Sequence, residues 1–193
     1  MSIRFKRNPA MKKAALLATA VLFLATAPAR AEEAAPLVTP TPAPVKAEAK
    51  LLDNAGKETG TVNITETKKG RLFSISVTGL TPGWHGVHIH GTGDCSDHEG
   101  HFKKAGGHAA AEGQKHGFLS DEGPHDGDLP NLWVAADGAG KAEYYSESAA
   151  RTMQDQDGSA LMIHAGPDDY TTDPSGNSGD RVACAVMTEN KAK

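Results

Sequence analysis

From about Ala47 onward, apolar and polar residues alternate along much of this chain. The period is two, as a half-buried β-strand requires. Val62 and Ile64 alternate with polar neighbours, Lys68-Lys69-Gly70 makes a turn, and Phe73, Ile75 and Val77 then alternate with Leu72, Ser74 and Ser76. This predicts a hairpin with one buried face. Pro82-Gly83 predicts the next turn, residues 87–90 a strand and residues 132–135 another. Asp137-Gly138-Ala139-Gly140 turns the chain into a strand over 141–146, and residues 160–164 and 182–187 read as short late strands. No segment shows sustained helical periodicity. Short strands between Gly- and Pro-bearing turns predict an all-β sandwich or barrel. Residues 91–128 and 165–181 show little alternation, and loops that long inside a compact domain are usually functional or disordered.

The first 46 residues follow other rules. Residues 1–31 contain Arg4, Lys6, Arg7, Lys12, Lys13 and Arg30 and no acid. Residues 14–27 are apolar or small, with only Thr19 and Thr26 polar, and Ala29-Arg30-Ala31 follows. A basic start, a short apolar run and a small-x-small site predict a secretory signal peptide over 1–31. The run is shorter than the roughly 20 apolar residues of a membrane span. Met11-Lys12-Lys13 begins a more compact signal, so translation starts at Met1 or at Met11. Residues 32–46 carry Pro36, Pro40, Pro42 and Pro44 among Ala, Thr and Val, which predicts an extended linker. The folded domain is then 47–193.

Removing the signal changes the charge. The whole chain has 20 Lys+Arg against 24 Asp+Glu; without the six basic residues of 1–31, 14 remain against 24, formally −10. A nucleic-acid partner calls for a basic face, so this balance argues against one. The two cysteines, Cys95 and Cys184, both follow the signal. Export brings them to an oxidising compartment, where a pair usually forms a disulfide.

Histidines carry the strongest chemical signal. Of nine, eight (85, 88, 90, 98, 101, 108, 116 and 125) fall within residues 83–128, and the ninth is His164. So dense a cluster predicts a metal site. His88 and His90, two apart on a strand, leave one face while Val87 and Ile89 leave the other. His108 and His116 follow, then His125 and Asp128, three apart in a Gly-rich turn; His164 ends an apolar run. Six imidazoles and a carboxylate exceed what one four-coordinate ion needs, so two metals are the simplest account. Three nitrogens and an oxygen in a closed tetrahedron suit zinc, and a tetragonal all-nitrogen site suits copper.

These residues resemble the copper/zinc superoxide dismutase family. Gly86-Val87-His88-Ile89-His90 is similar to its G-[FV]-H-[VI]-H strand. Ala105-Gly106-Gly107-His108, His116 and His125-Asp126-Gly127-Asp128 resemble its metal loop in order and spacing. His164-Ala165-Gly166-Pro167-Asp168-Asp169 and Gly179-Asp180-Arg181-Val182-Ala183-Cys184 complete the likeness, which spans about residues 50–187. Residues 123–132 and 164–170 look most like the bacterial periplasmic branch. The resemblance implies a Greek-key β-sandwich or flattened barrel, immunoglobulin-like, with long metal-binding and electrostatic loops. It implies one copper ion per subunit on His88, His90, His108 and His164. It implies one zinc ion per subunit on His108, His116, His125 and Asp128, with His108 bridging the two as an imidazolate. Asp168 resembles the family's carboxylate that bonds one copper ligand and one zinc ligand. Arg181 matches the residue that guides the anion over the open copper position. Cys95–Cys184 would tie the metal loop to the last strand beside Arg181. The implied substrate is superoxide, dismuted to oxygen and hydrogen peroxide, which protects the periplasm from oxidative damage. A homodimer is among the implied assemblies, with Trp84 or Trp133 at an interface or in the core.

The chain also departs from the family pattern. Ala109-Ala110-Ala111-Glu112-Gly113 after His108 predicts a looser turn, and Thr171 after Tyr170 stands where a lysine is common, which removes steering charge. His98 and His101 are additional: exposed loop residues or an auxiliary metal-loading site. His85 resembles a family histidine that bonds backbone rather than metal. Three rival readings are a sequestering protein, a zinc hydrolase and a copper-only enzyme. Arg181 argues against the first, since storage needs no anion guide. The lack of a Glu after the H-x-H in the usual hydrolase arrangement argues against the second. The full set of zinc ligands argues against the third.

Overall fold

Eight strands follow the alternation closely. The computed structural model describes residues 47–149 and 156–188; the signal over 1–31 and the linker over 32–46 lie outside them. The strands are β1 (Ala47–Asp53), β2 (Glu58–Glu66), β3 (Arg71–Val77), β4 (Gly83–His90), β5 (Asp128–Val134), β6 (Gly140–Ser146), β7 (Ser159–His164) and β8 (Arg181–Thr188). All pairs are antiparallel, and the order β1-β2-β3-β6-β5-β4-β7-β8 closes on itself as a barrel. Placing β3 beside β6 and β4 beside β7 gives the Greek-key crossing expected. The seam between β1 and β8 is short, with only Leu52↔Cys184 and Asp53↔Ala183 in register.

Inside, the hairpin pairs Val62 with Ile75 and Ile64 with Phe73. These join Leu51, Val87, Ile89, Leu129, Leu132, Leu161 and Ile163 in one core. β1 has no counterpart in the predicted strands. Its inward residues are Ala49 and Leu51, and alanine is too small to make the alternation stand out. β4 begins at Gly83, four residues before the expected start, because Trp84 and His85 also pair with β5. Trp84 and Trp133 face each other in register with ring centroids 5.0 Å apart. Both are about half exposed on the barrel's outside, so neither belongs to the core.

Part of the barrel's outer surface is covered. β7 is buried along its whole length. Leu161 and Ile163 enter the barrel core, while Ala160 and Met162 pack outward against Cys95, Phe102, Ala105 and Cys184. The segment between β4 and β5 therefore folds back over β7 and β8, and two single-turn 3-10 helices, His98–Gly100 and Lys103–Ala105, shape it. The predicted disulfide is present: Cys95 bonds Cys184 on β8, with Cα atoms 5.9 Å apart across 89 positions of chain. In a loop-entropy account a closure of this size is worth about 4–5 kcal/mol.

Reduction of Cys95–Cys184 in the metal-free protein should therefore loosen the covering segment before the barrel. The amides of Gly91, Thr92 and Ala105, bonded within that segment, should lose hydrogen-exchange protection while those of Val62 and Ile75 keep theirs. Simultaneous loss in both sets would show that the bridge holds the barrel itself.

Candidate metal centre

The outer face of β4 is where the covering segments meet. Val87 and Ile89 are fully buried in the core, so the alternation sends His88 and His90 outward, yet both are almost wholly buried as well. Loop backbone covers them. His108 forms an isolated bridge with His90. Ala109 N–H donates to Ile89 O, Ile89 N–H to Gly127 O and Gly127 N–H to Ala109 O, each at 2.8 Å. A Cβ at Gly127 would overlap Ile89 O, so glycine is what lets the loop lie this close. The turn after His108 is thus tied down rather than loose: Ala109 is buried, and Ala111 N–H donates to Gln114 Oε1 at 2.7 Å.

Each imidazole is oriented through its outer nitrogen. His90 Nδ1–H donates to Gly106 O at 2.9 Å, His164 Nδ1–H to Gly179 O at 3.0 Å, and His88 Nε2–H to Asp168 Oδ2 at 2.8 Å. A neutral ring with one nitrogen donating leaves a bare lone pair on the other. Those atoms, His88 Nδ1, His90 Nε2 and His164 Nε2, together with His108 Nε2, are buried and have no partner. Buried polar atoms are rarely left so. One ligand atom from each of His88, His90, His108 and His164 lies within 4.8 Å of the others. Burial drives His88 down to about 3 and His164 to about 4, and holds His90 well below the ordinary imidazole range. Four neutral imidazole nitrogens aimed at one point are a donor set that fits copper.

A second group meets on Asp128. His108 Nδ1 and His116 Nδ1 each lie 3.0 Å from Asp128 Oδ1, and His125 Nδ1 lies 3.6 Å from it and 3.3 Å from His108 Nδ1. Asp128 Oδ2 accepts the N–H groups of Gly117 at 2.9 Å and His125 at 3.0 Å, which locks the carboxylate. His88 also satisfies a 4.8 Å criterion with His108, His116 and Asp128. Its one unpartnered nitrogen is already in the first group, and His125 Nδ1 lies beside the second. Three nitrogens and a carboxylate oxygen are a donor set that fits zinc. Burial opposes a charge on His116, but Asp128 and Asp168 outweigh it and lift the ring to about 9. Burial likewise opposes ionisation of Asp128, yet the bonds from His108, His116 and Gly117 hold it far below the usual carboxylate range.

Asp168 joins the two groups. It accepts His88 Nε2–H through Oδ2 and His116 Nε2–H, at 2.9 Å, through Oδ1. Two residues that the sequence reading passed over hold it there. Asn131 Nδ2 donates to Asp168 O at 2.9 Å, Asn131 Oδ1 accepts Asp168 N–H at 2.8 Å, and Asn131 N–H donates to Tyr170 Oη at 2.7 Å. A turn-favouring Asn inside a strand, between Pro130 and Leu132, was the available signal. Gly176, at φ +61°, lies so close that a Cβ would overlap Asp168 Oδ1. In a Gly- and Ser-rich loop it carries no distinguishing mark.

The remaining candidates fall around this centre. Arg181 is half-buried; Nη1 donates to Phe102 O at 2.8 Å and Nη2 to Gly106 O at 2.6 Å, the carbonyl that also takes His90. Phe102 and its neighbour His101 both have positive φ, 54° and 60°, a conformation that disfavours non-glycine residues. His85 places Nδ1 2.6 Å from His164 O and Nε2 2.8 Å from Thr81 O, so it braces backbone as expected. His98 and His101 join neither group: His98 stacks on Phe102, and His101 Nδ1 accepts from Asn54 Nδ2 at 3.2 Å.

A family model described as copper/zinc superoxide dismutase (SODC) matches residues 58–187. The chain is 44% identical over 140 residues to a protein named superoxide dismutase [Cu-Zn] from Caulobacter vibrioides, covering 68% of this chain and 79% of that one. It is 39% identical over 140 residues to the protein of the same name from Photobacterium leiognathi, covering 68% and 80%. Among solved structures, a SOD-like protein from Bacillus subtilis superposes with a TM-score of 0.65 at 36% identity, covering 72% of this chain and 97% of that one. The Cu/Zn superoxide dismutase from Brucella abortus gives 0.58 at 32% identity, covering 73% and 98%.

The opposite pKa shifts on the two sides give a prediction. At pH 7 His116 of the metal-free protein holds a proton that an ion on Nδ1 must displace. One equivalent of Zn2+ should then release one proton, and its affinity should rise about tenfold per unit as pH approaches about 9, levelling beyond it. Calorimetry in buffers of different ionisation enthalpy counts the protons. A count of zero would show that His116 is neutral beforehand.

Proposed function

The chain belongs to the copper/zinc superoxide dismutase family of enzymes, and from that premise we propose that it dismutes superoxide with one copper and one zinc ion per subunit. His88, His90, His108 and His164 would hold the copper; His108, His116, His125 and Asp128 would hold the zinc. The observation that carries the reading is His108. Its Nε2 is one of the four bare nitrogens of the first group, and its Nδ1 stands in the second. When bound, a redox-active copper would supply the electron exchange by which two superoxide ions and two protons become dioxygen and hydrogen peroxide. With Nε2 off the metal, His108 would hold one of those protons there. His90 and His164 are kept in register by the carbonyls of Gly106 and Gly179, and His88 by Asp168. Zinc is structural and electrostatic.

Arg181 would guide the anion. Its clamp uses one hydrogen of each terminal nitrogen, and a guanidinium has five N–H groups. Steering of this kind is known for superoxide dismutases, and here it works against a formally acidic chain. One unit charge at about 6 Å, in a medium of effective dielectric about 20, is worth roughly 2–3 kcal/mol. Salt screens part of that. The relatives named above are bacterial. With the basic and apolar start of the sequence, this supports export to the periplasm, cleavage after Ala31 and a protective role there.

His164→Ala should remove copper and dismutation while most zinc stays, and His125→Ala should weaken zinc and spare some copper, as read by elemental analysis with a superoxide assay. Full activity in His164→Ala would overturn the copper assignment. Arg181→Ala should lower kcat/KM by roughly one order of magnitude and Arg181→Glu by more. Added salt should slow the native enzyme more than Arg181→Glu. Rates within twofold for Arg181→Glu and the native enzyme at low salt, by pulse radiolysis, would reduce the arginine to a clamp. N-terminal sequencing of exported protein should find Glu32 first; an intact Met1 or Met11 would refute the leader.

A further inference from the structure

The outer nitrogens of the imidazoles are satisfied with one exception. His88 and His116 give theirs to Asp168, His90 gives its to Gly106 O and His164 to Gly179 O. His108 turns both nitrogens toward the two groups and has none left over. His125 turns Nδ1 toward His108 and Asp128, which leaves Nε2 facing outward. It is also the most exposed of the zinc-side set, at 9% of its side chain against 4% for His108, 1% for Asp128 and 0% for His116.

What Nε2 faces is a carboxylate. Asp173 Oδ1 lies 3.9 Å from it. The same oxygen accepts His116 N–H at 3.0 Å, and Oδ2 lies 3.4 Å from Lys115 Nζ. Asp173 is therefore already anchored to the backbone of one zinc-side residue and turned toward the ring of another. When a metal ion takes the lone pair on Nδ1 of a neutral imidazole, the ring's only hydrogen must be on Nε2. A carboxylate partner for that hydrogen fixes the ring and makes Nδ1 a stronger donor. Asp173 is roughly half exposed, so its side chain is free to close the remaining ångström.

We propose that Asp173 is the positioning residue of His125, accepting a hydrogen bond from Nε2–H when Nδ1 binds zinc and so controlling how long the zinc is held. This rests on the two-metal reading above. In the same step the segment between β7 and β8 acquires a further hold on the zinc side, beside Asp168 and the bond from His116 N–H to Asp173. Lys115 competes for the carboxylate and weakens this hold.

The test is the rate at which the copper- and zinc-loaded full chain gives up zinc to an excess of a chromogenic chelator, with the visible spectrum of the Co2+-substituted zinc site as a second readout. Asp173→Asn keeps an acceptor for His116 N–H and removes the charge. It should speed zinc loss about 10- to 100-fold and shift the Co2+ bands, with copper content unchanged. Asp173→Glu should restore slow release, and Lys115→Ala should leave it the same or slower. Zinc loss within twofold of the native rate in Asp173→Asn, with unshifted bands, would overturn the proposal; an accelerated rate in Asp173→Ala alone would then assign the residue to the His116 backbone. Failure of the native chain to take up any zinc would overturn the two-metal reading, and this inference with it.

Discussion

Asp168 accepts hydrogen bonds from two imidazoles that serve different metal-binding groups, and most of the centre depends on that sharing. His88 bonds one oxygen and His116 the other, so one carboxylate orients both rings. Tyr170 N–H donates to the same oxygen as His116, at 2.6 Å, and each donor helps offset the cost of burying the charge. Asn131 transmits the constraint to the barrel. It sits on β5, the strand that opens with Asp128, so one rigid element fixes both carboxylates. The loop's own contribution is closeness: Gly176 lies against Asp168 with no side chain between them.

Burial then sets the chemistry. The same covering segment that hides Met162 and Ala160 also takes His88 and His90 out of water. Desolvation keeps those rings neutral, and neutral rings are what a metal binds. On the other side two carboxylates reverse the sign and keep His116 charged until an ion replaces its proton. The fold thus presents one group ready to bind and another that exchanges charge on binding, with a single histidine common to both.

Much of this was legible in the sequence, for identifiable reasons. Strands with a large inward residue at every second position, such as β3 with Phe73, Ile75 and Val77, announced themselves. So did the His88–His90 pair, because a period of two places both rings on one face. β1 was hidden by its alanines. The tight turn after His108 was misread as loose because its order comes from backbone bonds to Ile89 and Gly127, which no side chain advertises. Asn131 left a faint mark as a turn-favouring residue inside a strand, but its bonds to Asp168 form only when β5 and the loop before β8 come together; Gly176 left none, because its role is a close approach within a Gly- and Ser-rich loop. Arg181 was identified by resemblance, but the two strained carbonyl-bearing residues around its anchor were not, since positive φ at His101 and Phe102 is a property of the folded loop.

The narrow seam of the barrel has a consequence for how the protein would fail. Two residue pairs close β1 against β8, and one of those residues is Cys184. The bridge to Cys95 is therefore attached at a short seam of the cylinder. If that point parts, β1 and β8 become free edges with unsatisfied N–H and C=O groups, and such edges recruit strands from other molecules. Closure hides them in the native state, so the covalent tie guards against edge-to-edge aggregation as well as holding the metal loop.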